Sequence, residues 1–133
     1  MLNETTMSTA AALTEGLLYL SESEHEFDVF GLSGITSENE LKAALLHQEQ
    51  LEDMEVAPDD AAMFFIKLTK LADPNDDFMM EQASRFEALQ GFLEKNFQDI
   101  QLYRAGKIQV HIFITATNAD QDYLVLHTMA VET

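Results

Sequence analysis

IQVHIFITATNADQDYLVLHTMAV, residues 108–131, is two apolar runs around one polar break. Ile108, Val110, Ile112 and Ile114 alternate with other residues, the period-two pattern of a half-buried strand. Asn118-Ala119-Asp120-Gln121 has the composition of a turn, and Tyr123 to Val131 returns as a second strand. Just upstream, Leu102-Tyr103-Arg104 leads into Ala105-Gly106-Lys107, another turn signal. This end of the chain is β.

Outward from it the pattern becomes helical. In residues 78–97, Met79, Ala83, Phe86, Leu89, Leu93 and Phe97 recur at intervals of three and four, and Phe92 widens the stripe. ADPNDD, residues 72–77, is a turn by composition. Pro58-Asp59-Asp60 reads as the start of a helix that buries Met63, Phe64, Phe65, Ile66 and Leu68. Met54 to Val56 reads as a short strand. Ser37 and Glu40 are spaced as a capping box, opening a helix that runs to about His47 or Leu51. Phe27, Val29 and Phe30 mark a strand with Asp28 on its other face, and residues 19–25 are a loop or strand approach. Residues 8–18 suit a helix with Ser8 or Thr9 as N-cap and Leu13, Leu17 and Leu18 on its buried side. Helices around a mostly antiparallel sheet give an α+β layered domain.

The bulk properties fit one domain over residues 1–133, long enough to bury a core without staples. There is no cysteine, so disulfide and thiol chemistry are excluded. The start, MLNETTMSTAAALTE, lacks a basic n-region and a long apolar run, so a cytoplasmic location is expected. Charge is the outlying property: 24 Asp and Glu against 7 Lys and Arg, a formal −17. Such a chain repels nucleic acid and anionic lipid, so neither direct nucleic-acid binding nor membrane binding is expected. High negative charge serves solubility, and it also suits a strongly basic protein partner.

The acidic density peaks in YLSESEHEFDVF, residues 19–30, where Glu22, Glu24, Glu26 and Asp28 crowd together. Catalysis by Glu22 and Glu24 is disfavoured, because no apolar pocket or substrate-orienting group accompanies them. In an extended segment, alternate carboxylates stand roughly 6.5–7 Å apart, from a rise of about 3.3 Å per residue. That approximates the spacing of phosphates on a stretched single strand, so the segment has the physics of a phosphate mimic as well as of a solvated acidic loop. His111 and His127 fall near each other across the terminal hairpin, but two histidines without a third ligand at a fixed offset do not define a zinc site.

GLLYLSESEHEFDVF, residues 16–30, closely resembles the signature of the nuclease A inhibitor family. QLYRAGKIQVHIFI, residues 101–114, is similar to that family's Tyr-Arg-x-Gly turn into an alternating strand, and Val131-Glu132-Thr133 to its terminal Val-Glu-Thr. Residues 31–100 follow the family in element order alone. The resemblance implies a three-layer α/β/α sandwich. It implies inhibition of a sugar-non-specific endonuclease of the ββα-metal type, a basic and metal-dependent enzyme, by a protein that is monomeric when free and carries no cofactor of its own. Family members reach the enzyme's cation, Mg²⁺, with a terminal threonine, here Thr133. They anchor the first glutamate of the acidic loop, here Glu22, in the nuclease site. A terminal α-carboxylate is a hard oxygen ligand suited to Mg²⁺.

Glu24 and Glu132 accompany these anchors on the expected partner-binding surface. The family's mid-chain acidic loop corresponds to ADPNDD, with Asp76 as its contact residue. An aromatic adjoins that aspartate in the family pattern; here Asp77 intervenes before Phe78. His25-Glu26 stands where relatives carry an aromatic and a proline. Two readings compete with inhibition: an acidic adaptor for another basic partner, and a small enzyme with an interior pocket.

Overall fold

The computed structural model of the protein describes residues 2–51, 54–70 and 72–132. Among these residues four helices, α1 (Glu4–Thr14), α2 (Glu38–Gln48), α3 (Ala61–Thr69) and α4 (Asp77–Asn96), accompany seven strands. The strands are β1 (Leu18–Leu20), β2 (Glu24–Glu26), β3 (Asp28–Leu32), β4 (Val56–Asp59), β5 (Asp99–Ala105), β6 (Gln109–Thr117) and β7 (Tyr123–Val131). β3-β7-β6-β5-β4 form one sheet in which every neighbouring pair is antiparallel, and β1 and β2 form a separate hairpin.

Alternation along the strands builds two cores. Leu102, Val110, Ile112, Ile114, Leu124 and Leu126 face the helical layer that supplies Ala10, Phe64, Phe65, Phe86, Leu89 and Leu93. Tyr103, Ala105, Phe113 and Val125 face the other way, against Leu41 and Leu45 of α2. The molecule is therefore a mixed α/β fold with an antiparallel sheet between helices. Because both faces are covered, β6 is buried through almost its whole length, rather than half-buried as its alternation suggests. Ile108 falls outside β6, in the preceding turn, and is 63% exposed.

Other boundaries move for local reasons. α1 is capped by Asn3, whose side chain accepts from the Thr6 amide at 2.7 Å, so Ser8 and Thr9 lie inside the helix. It ends before Gly16, whose φ of +73° breaks the helical path, and Leu18 enters β1. Pro58 and Asp59 belong to β4, an edge strand, where a missing N–H is tolerated. The α3 cap is Asp60, accepting from the Met63 amide at 3.0 Å. Phe64 and Phe65 are buried as expected, but Met63 and Ile66 are exposed. The capping box at α2 takes a variant form: Ser37 accepts from the Glu40 amide at 3.1 Å, while the Glu40 carboxylate reaches back to the Thr36 amide and hydroxyl at 2.8 and 2.6 Å. Those bonds, the Thr36 hydroxyl's first, hold Glu40 below the usual carboxylate range. No helix among the described residues is long and apolar enough to cross a membrane.

Candidate functional site

The site begins where β3 leaves off. β3 pairs with Tyr123–His127 of β7, and the stretch just before it runs beside the remainder of that strand. The Glu26 carbonyl accepts from the Thr128 hydroxyl at 2.9 Å. At the far end, the Ser21 hydroxyl accepts from the Val131 amide at 3.0 Å, and the Glu22 amide donates to the Val131 carbonyl at 3.4 Å. The hairpin thus sits against the end of β7.

Residues 21–23 close that hairpin. The Ser21 amide donates to the Ser23 carbonyl at 2.8 Å, and the Ser23 amide donates to the Ser21 hydroxyl at 3.3 Å. Glu22 is the apex, and it is exposed. The expected extended ladder from Glu22 to Glu24 is therefore not formed, because the two serine contacts bend the chain between them. Glu24 instead shares β2 with Glu26, both exposed. Behind the hairpin, Tyr19 stacks on Phe64 of α3 with ring centroids 5.5 Å apart, and the Leu18 amide donates to Gln82 of α4 at 3.0 Å.

A charged knot lies beside Tyr19. Arg104 pairs with Glu132, and its other nitrogen stands 3.5 Å from Asp59. The Glu132 amide donates to the Ile108 carbonyl at 2.9 Å, fixing the chain just past β7. Partial burial raises the Tyr19 phenol above its ordinary value; Arg104 opposes this, and Glu132 and Asp59 reinforce it. Glu132 is thus positioned by Arg104, a residue whose role has no local sequence signal.

The structure sets Glu22 against Val131, next to Glu132, while Glu24 follows two residues later in the same hairpin. Thr133 lies outside the described residues. A cleft of about 230 Å³ is lined by Leu18 and Leu20 of β1, Lys67 of α3 and Met79 of α4; Asp76 and Phe78, at the start of α4, are not part of its lining. Asp76 is the N-cap of α4, its carboxylate accepting from the Met79 amide at 3.1 Å, and Phe78 is 46% exposed. Sequence reasoning missed Ser21, the hydroxyl that fastens the apex, although its place in Ser-Glu-Ser was visible.

On the α2 side of the sheet, His111 and His127 meet, with Nδ1 of one 2.9 Å from Nε2 of the other. Burial, with His127 adding, holds His111 below the ordinary imidazole value.

Fold and rim define a class: a small, strongly acidic α/β protein whose hairpin apex and last strand share one exposed negative edge. The family model described as nuclease A inhibitor-like protein matches residues 4–133, and the chain belongs to that family. No curated protein matches the chain.

Proposed function

We propose that this protein inhibits a sugar-non-specific ββα-metal endonuclease by occupying its substrate groove. The observation that carries the reading is the Ser21–Val131 hydrogen bond of 3.0 Å, which ties the acidic apex to the strand that leads to Thr133. Two segments 110 positions apart in sequence thereby form one negative edge. A basic groove that normally receives phosphates attracts such an edge through the same Coulomb forces. Glu22 is the anchor in the groove, Glu24 and Glu132 flank it, and Thr133 reaches the partner's Mg²⁺ as an oxygen ligand. The protein itself performs no catalysis in this scheme; it replaces the substrate.

Glu22→Ala is expected to weaken binding by roughly 2 kcal/mol or more, about 30-fold in inhibition constant, the range for losing a buried charge anchor. Removing Thr133 is expected to do comparable damage while leaving the circular dichroism and melting profile intact. Both are read by titrating a purified Mg²⁺-dependent nuclease of this type. Parent-like inhibition by both variants would refute the contact surface. Binding without loss of nuclease activity would favour the adaptor reading.

A further inference from the structure

We propose that Glu49, His111 and His127 form a binding site for one divalent cation of the zinc type, with Asp28 orienting His127. The four residues come from four elements. His111 and His127 lie on the paired central strands β6 and β7, where their register partners are Met129 and Phe113. Asp28 opens β3 directly opposite His127. Glu49 is the C-cap of α2. One ligand atom each from Glu49, His111 and His127 lies within 4.8 Å of the other two, the only such group among the described residues.

Two ligands about 2.1 Å from a tetrahedral cation stand about 3.4 Å apart. Gathering the carboxylate therefore needs a side-chain adjustment, and the two ring nitrogens at 2.9 Å need to part by about half an ångström. Asp28 supplies the outer partner such sites require. Its Oδ2 is 2.9 Å from His127 Nδ1, which places the proton there and leaves Nε2 as a lone pair facing His111. Glu49 Oε1 is half-buried and lies 3.5 Å from His127 Nδ1, the nitrogen that faces Asp28, so its carboxylate must swing toward Nε2 to join the cation. Two imidazoles and one carboxylate suit Zn²⁺, whereas Mg²⁺ favours an all-oxygen shell. Three protein ligands leave a fourth position for water. Without a cation, His111 Nδ1–H donates to His127 Nε2 and His127 Nδ1–H donates to Asp28; cation binding requires His111 to carry its proton on Nε2 instead, which frees Nδ1 as a ligand. With one, the end of α2 becomes fastened to the sheet.

The test is a calorimetric titration of the full, EDTA-treated chain with zinc sulfate, alongside ¹⁵N NMR of the histidine side chains. One saturable equivalent is expected, with the His111 and His127 ring nitrogens shifting together and His25 unmoved. Magnesium chloride should move none of them. His111→Gln and Glu49→Gln should each lower zinc affinity at least tenfold. Asp28→Asn should lower it by about 10–100-fold, the usual effect of an outer-shell partner, and His25→Gln should leave it unchanged. Since a variant can misfold, the wild-type NMR shifts stand as the independent readout. Zinc uptake with unmoved His111 and His127 signals, or no saturable uptake, would overturn the proposal.

Discussion

Four carboxylates within seven residues would repel one another on a plain loop, and the fold separates them. Glu22 goes to the hairpin apex, Glu24 and Glu26 to exposed positions of β2, and Asp28 to a hydrogen bond with His127 at 2.9 Å. Ser21 is the small residue on which this distribution turns, since its hydroxyl serves the Ser23 amide, the Ser23 carbonyl and the Val131 amide. Ser21→Ala removes one acceptor from the end of β7. The expected cost is about 1 kcal/mol of global stability, together with faster hydrogen exchange at the Val131 amide, measured by NMR. Unchanged exchange at Val131 would show that the apex is held by something other than Ser21.

At the scale of elements, Asp76 has a structural role alongside the partner contact expected of it. The acidic run ADPNDD marks a turn, and the structure uses its Asp76 to cap a 20-residue helix. Asp76→Ala is expected to lower stability by about 1 kcal/mol through the lost cap. Its effect on nuclease inhibition should be smaller than that of Glu22→Ala. A larger loss of inhibition than of stability, seen by pairing denaturant titration with the inhibition assay, would make Asp76 chiefly a partner contact. β7 was legible to the residue because turn chemistry at 118–121 and an apolar run coincide there. The start of α1 was not, since Asn3, Ser8 and Thr9 are all competent caps and local chemistry does not rank them. Met63 and Ile66 sit in an apolar run that predicts burial. Their exposure follows from the side of α3 that meets the sheet, which is a tertiary fact.

For the whole molecule, sequence pattern fixes each strand's period but not its neighbours. That β6 is central and covered on both faces depends on α2 crossing to the opposite side from α3 and α4. The rim was legible in its parts, since Ser-Glu-Ser and Val-Glu-Thr are both visible as motifs. Their junction was not, because Ser21 and Val131 are 110 positions apart and no periodicity links them. Arg104, which holds Glu132, was equally invisible, as its partners Asp59 and Glu132 come from two other segments. A net charge of −17 surrounds this rim with a negative field, which under the proposed function would speed encounter with a basic cleft.

The central claim is that the rim takes the place of nucleic acid in a nuclease groove. Steady-state kinetics of a Mg²⁺-dependent, sugar-non-specific nuclease, with DNA varied at several fixed concentrations of this protein, tests it directly. The apparent KM should rise in proportion to the protein concentration while kcat stays constant. A falling kcat with unchanged KM would place the contact away from the substrate groove and contradict the account.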